Sequence, residues 1–146
     1  MKTQTGIWID STQAIIVRLI NHTEHITEIN SDLENPVHHR GEGDKGSFMG
    51  SRHINQEGKF DEKKKNQIDH YLHKVIEFIA NDDEIYVFGP AEIKSKLKHK
   101  IEEDKLLAPK LKAVEPADSM TNPQIVAHVK RFTMKSFVNK IIFYNQ

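Results

Sequence analysis

The chain has 146 residues, 37% of them hydrophobic and 29% charged, with Lys+Arg and Asp+Glu balanced at 21 each and no cysteine. That length fits one ordinary domain with its own core, and no apolar run approaches the roughly 18 residues that a membrane span needs. The composition excludes a disulfide scaffold, a thiolate site and an overall basic field, so any affinity for nucleic acid has to come from a local patch.

Thr5 to Ile9 and Gln13 to Ile20 are rich in β-branched and apolar residues and flank the turn-forming group Asp10-Ser11-Thr12. This pattern predicts a β-hairpin, with Trp8 as a core anchor. His25 to Ile29 alternate and supply a third antiparallel strand. The start, Met1 to Gly6, runs straight into the first strand without the apolar stretch of a signal peptide, so a cytoplasmic location is expected.

Five of the 7 glycines (Gly41, Gly43, Gly46, Gly50 and Gly58) fall between Pro36 and Lys65. With Val37, Phe48, Met49, Ile54 and Phe60 as its only large apolar residues, this stretch buries too little to offset its ordering entropy, and a mobile loop over about residues 36–60 is expected. A loop that long inside a domain usually carries function. Arg40, Lys45, Arg52 and His53 within it are candidate RNA contacts, and Lys63, Lys64 and Lys65 extend the set into the following helix. Glycines Gly41, Gly43, Gly46 and Gly50 would give these cations their freedom, while Glu42, Asp44 and Glu57 dilute the field.

From Asp61 the period becomes helical: Ile68, Tyr71, Leu72, Val75, Ile76 and Ile79 form one stripe, and Asn81-Asp82-Asp83 ends it. Glu84 to Gly89 reads as a short buried strand. Gly89-Pro90 breaks it, with Pro90 expected in the first turn of a second helix whose stripe is Ile93, Leu97 and Ile101. Lys94, Lys96, Lys98 and Lys100 follow at alternate positions. Lysines two apart cannot all share a helix face, and a solvated surface is the simpler reading. Leu111 to Val114 supplies a last core strand. Thr121 and Gln124 frame a capping box around Asn122-Pro123, opening a third helix with Ile125, Val126 and Val129 inward. Residues 137–144 suit either a continued helix or an edge strand. The order β-β-β-loop-α-β-α-β-α predicts an α/β fold: a three-stranded antiparallel meander followed by parallel crossover strands, with helices on the sheet's faces.

That order is similar to the ribonuclease H-like architecture, and the local sequence resembles the middle domain of archaeal and eukaryotic class 1 peptide release factors and their bacterial release-factor-like, host-attachment-type relatives. The resemblance is carried by GIWIDSTQAIIVRL, by the glycine-basic loop ahead of FDEKKKNQIDHYLHKVIEFI, by EIYVFGPAEIKSKLKHKI and by LKAVEPADSMTNPQIVAHVKRF, which together run from Gly6 to Phe132. It implies a translation-associated module that meets the ribosome, tRNA or rRNA, without its codon-reading and partner-binding neighbours. In that family the loop before the first helix bears a Gly-Gly-Gln motif that positions water against the peptidyl-tRNA ester. Here the loop reads GEGDKGSFMGSRHINQEG, with no Gly-Gly pair, and Gln56 sits between Asn55 and Glu57. Release chemistry is therefore not expected, as in Pelota-like rescue factors, which share the shape and do not release peptide.

Other chemistry has a plainer reading. Nine histidines, with His70 and His73 one turn apart and His38, His39 and His53 in the loop, are read as surface residues rather than a metal site, and no cofactor is expected. Asp10 occupies a position where ribonuclease H-type nucleases hold metal, but YVFG brings no second carboxylate, so Asp10 is read as a turn residue. The alternative function is a protein-interaction module, homodimeric through the loop and the apolar tail. A hydrolase of RNA or peptidyl-tRNA ranks third.

Overall fold

The computed structural model describes residues 2–31 and 50–144, with side chains within 2–31 and 62–134. Strands β1 (Thr3–Ile9), β2 (Gln13–Ile20) and β3 (Thr23–Asn30) form an antiparallel meander, followed by helix α1 (Gly50–Ile79), strand β4 (Glu84–Gly89), helix α2 (Ile93–Glu103), strand β5 (Leu111–Pro116) and helix α3 (Asn122–Tyr144). The strands make one sheet in the order β3-β2-β1-β4-β5. The β1–β2 and β2–β3 pairs are antiparallel, and the β1–β4 and β4–β5 pairs are parallel. This is the expected mixed α/β sheet of ribonuclease H-like order.

The period-2 alternation of β1 divides the core. Ile7 and Ile9 point to the face covered by α1 and α2, where they meet Tyr71, Leu72, Val75 and Leu97. Trp8 points the other way, into a second cluster with Phe88, Ile125, Val129 and Phe132 under α3. A sheet covered on both faces demands strands that are apolar at nearly every position, and β4 is buried throughout its length. The helical stripes are as periodicity predicts: Tyr71, Leu72, Val75 and Ile79 are buried on α1, and Ile93, Leu97 and Ile101 on α2.

Several boundaries differ from expectation. The first helix starts at Gly50, not near Asp61, so residues 50–60 are helix rather than loop, and only residues 36–49 of the expected loop lie outside the described residues. The physical reason is that Arg52, Gln56, Glu57, Lys59, Glu62 and Lys63 are straight-chain helix formers with no proline among them, against which Gly58 costs only about 1 kcal/mol. Pro90 does not open the second helix; Glu92 is the N-cap and its carbonyl accepts from the Ser95 and Lys96 amides. The second hairpin turns on Asn21 and His22 at φ 51° and 67°, and β3 runs from Thr23 to Asn30, longer than expected at both ends. Both central residues of a two-residue type I′ turn take this left-handed conformation, and Asn supports it well. Strand β5 is a half-exposed edge rather than a core strand. The tail continues as helix.

The Thr121–Gln124 capping box forms as read. The Thr121 amide donates to Gln124 Oε1 at 2.9 Å, and the Gln124 amide donates to Thr121 Oγ1 at 3.3 Å. Helix α3 then lies so close to β1 that a Cβ on Gly6 would come within 2.2 Å of Val129 Cγ2. Val129 is β-branched and cannot swing away cheaply. Gly6→Ala is expected to destabilise the protein by about 1–3 kcal/mol, and by clearly less in a Val129→Ala background. Urea unfolding of the four proteins of this cycle checks the coupling.

Candidate functional site

The candidate RNA contacts separate into three groups. Arg40, Lys45, Gly41, Gly43 and Gly46 lie outside the described residues. Gly50, Arg52 and His53 belong to the first turns of α1, so they are helical residues and not loop residues. Lys63, Lys64 and Lys65 are exposed on α1, ahead of the stripe that packs on the sheet.

Lys64 and Lys65 line a groove of about 510 Å³ between α1 and α2. On α1 the lining positions 64, 65, 68, 69 and 72 recur with helical spacing, and on α2 positions 96, 99, 100 and 103 do the same, so each helix turns one face into the groove. Ile68 and the buried Leu72 make its floor, and Lys96 and Lys100 form the wall opposite Lys64 and Lys65. Lys100 Nζ reaches across to Asp69 Oδ1 at 3.6 Å. Lys94, by contrast, bends back to donate to the Ala91 carbonyl at 2.9 Å, outside the groove. The lysine run thus divides between two faces, as spacing requires. What sequence could not show is that half of it faces the α1 lysines, because that depends on the crossover that sets α2 beside α1.

The remaining polar centres hold the scaffold. Asp10 Oδ1 accepts from the Thr12 amide, the Thr12 hydroxyl and the Gln13 amide, each at 2.8 Å, the self-contained turn expected of it. Tyr71 donates from its hydroxyl to the Asp10 carbonyl at 3.0 Å, and burial, reinforced by the Asp10 charge, pushes its phenol far above the ordinary range. Trp8 Nε1 donates to the Asp118 carbonyl at 3.1 Å, fixing the segment ahead of α3.

Two charged clusters had no signal in the sequence. Buried Asp82, just past α1, accepts from Thr5 Oγ1 at 2.7 Å and from Arg18 Nε at 3.2 Å. The Arg18 guanidinium also donates to the Phe78 carbonyl and lies 3.9 Å from the centre of the Phe78 ring. On the opposite face Glu84 meets Lys2 Nζ at 2.7 Å, Gln4 Nε2 at 2.9 Å and the Tyr86 hydroxyl at 3.1 Å.

His70 and His73 are exposed, and His73 Nε2 lies 2.9 Å from Glu77 Oε1 on the same helix face. His128 lies between Phe88 and Phe132, tilted against the first and edge-on to the second, at 4.5 and 4.9 Å between ring centres. Among the described residues no group of three or more His, Asp or Glu is placed to hold a metal ion. Nor, among those residues, is any helix long and apolar enough to cross a membrane.

No family model and no curated protein matches this sequence. Solved structures do. The chain is similar to Archaeoglobus fulgidus Pelota, with a TM-score of 0.56 and 11% identity over 99% of this chain and 36% of that one. It is also similar to the archaeal translation termination factor aRF1, with a TM-score of 0.52 and 12% identity over 97% of this chain and 39% of that one. The fold is release-factor-like, and the chain spans less than two-fifths of either protein.

Glu84 gives a pH test of the scaffold. Burial alone would raise its pKa, but hydrogen bonds from Lys2, Gln4 and Tyr86 and the Lys2 charge outweigh it, lowering the group from 4.5 to about 2. A carboxylate depressed in the folded state contributes stability above its unfolded pKa and loses it as pH falls through the folded value. Glu84→Gln is therefore expected to cost on the order of 2–3 kcal/mol at neutral pH, the deficit shrinking as pH falls from 4.5 towards 2. Urea midpoints measured across that range check it.

Proposed function

We propose that this protein is a translation-associated module that binds the ribosome or its RNA, built like the middle domain of the release-factor family and without release chemistry. The observation that carries this reading is the extent of the likeness: 99% and 97% of the chain match 36% of Pelota and 39% of aRF1. The local sequence resemblance from Gly6 to Phe132 supports the middle domain as the counterpart. Exposed Lys63, Lys64 and Lys65 supply cations suited to phosphate, together with Arg40, Lys45, Arg52 and His53 as further candidate contacts.

Hydrolysis of the peptidyl-tRNA ester requires a group that holds water in line, and misplacement by about 1 Å can cost on the order of a hundredfold. The chain has no Gly-Gly pair in front of a glutamine, and Gln56 falls within the helical span of α1. The protein is therefore read as non-catalytic, acting in the cytoplasm by occupancy rather than turnover.

Ribosome co-sedimentation tests this reading. The protein is expected to pellet with ribosomes at about 50 mM salt and to be released near 200 mM, to leave peptidyl-tRNA intact, and to bind less tightly as Arg40→Ala/Lys45→Ala/Arg52→Ala. Absence from the pellet at every salt concentration, with a salt-resistant dimer in solution, would transfer the assignment to a protein-interaction module.

A further inference from the structure

We propose that the groove between α1 and α2 is an RNA-backbone site, in which Lys64 and Lys65 from one wall and Lys96 from the other contact successive phosphates. The proposal deepens the reading above and rests on it for the choice of RNA as the anion; the glycine-rich segment plays no part in it.

The groove has the charge and form for this ligand. Four lysines line it against two carboxylates, Asp69 and Glu103, in a chain whose overall formal charge is zero. Among the described residues Lys100 takes up Asp69, whereas Lys64, Lys65 and Lys96 have no carboxylate at ion-pair distance. Opposite charges stand four residues from Lys65 and Lys96, at Asp69 and Glu92, yet among the described residues neither lysine closes on them, so three cations of two different helices face one groove. His99 adds a further ring nitrogen at the rim.

The placement is also rigid. Leu72 and Leu97 are buried in the same core cluster, so neither helix can withdraw its wall independently. Lysine presents a mobile point charge suited to phosphate without reading base identity, so the site is predicted to be indifferent to sequence. The floor of Ile68 and Leu72 offers no polar groups to base edges, in keeping with backbone recognition.

The experiment is fluorescence anisotropy with a short labelled RNA hairpin, comparing wild type, Lys64→Gln/Lys65→Gln/Lys96→Gln, and a charge-matched control, Lys94→Gln/Lys98→Gln/Lys105→Gln, outside the groove. All six positions are helix or turn surface, and unchanged circular dichroism and melting temperature establish that the variants fold. The groove variant is expected to lose at least about tenfold in affinity and to flatten the salt dependence by about 2 in the log–log slope, the control staying close to wild type. Equal losses in both variants, or none in either, would overturn the groove. Poly-glutamate competing as well as RNA at equal charge would overturn RNA as its ligand. Ribosome pelleting of the same proteins separates the two levels: wild type that binds the hairpin through the groove but never pellets refutes the translation reading and leaves the groove standing.

Discussion

The structure is organised around β1, the central strand of the sheet. It is bonded antiparallel to β2 on one side and parallel to β4 on the other, and both of its faces are buried. Each face imposes its own condition. On the α3 side Gly6 must lack a side chain for Val129 to approach. On the α1 side Thr5 must satisfy the buried Asp82 carboxylate, which also receives Arg18 of β2. A strand held in this way sets the height of both helical layers, and with it the distance between the faces of α1 and α2 that make the groove. Stability and the candidate site are thus linked by geometry and through Leu72, which belongs to the core and floors the groove.

The Asp82–Arg18 pair shows how a charge can be retained in such a place. Desolvating two ions is costly, and the mutual attraction offsets this only when the remaining hydrogen-bonding capacity is used. Here Thr5 donates to the carboxylate, while the Phe78 carbonyl and ring receive the guanidinium. The pair ties the end of α1 to the two strands beneath it. Glu84, with Lys2, Gln4 and Tyr86, does the same for β4 on the other face. These clips sit at one end of the parallel strands, where β1 and β4 begin.

What could be read from the sequence was what is local. Alternation in β1 and β2, the stripes of α1 and α2, the Asp10 turn and the Thr121–Gln124 box all depend on residues within one or two turns of each other. The start of α1 is hidden in the sequence because glycines run up to Gly58, while the straight-chain helix formers between Arg52 and Lys65 decide the local structure. The Asn21–His22 turn carries no glycine and so gave little signal, although Asn tolerates the left-handed region. Asp82, Glu84 and Arg18 were unremarkable as letters; their partners lie about 60 to 80 residues away and only the sheet register joins them. The groove is of the same kind. Its two lysine groups were each visible, but their convergence follows from the β4–α2–β5 crossover, which places α2 beside α1.

β1 and its partner β4 form the rigid element from which the helices, and hence the groove, are positioned. Native-state hydrogen exchange tests it most directly. The amides of Ile7, Trp8, Ile9 and Val87 are expected to exchange only through global unfolding, their opening free energies matching that from denaturant melts, while the edge strand β3 exchanges through smaller local openings. Exchange of the β1 amides by sub-global opening, with β3 protected as well or better, would contradict this account.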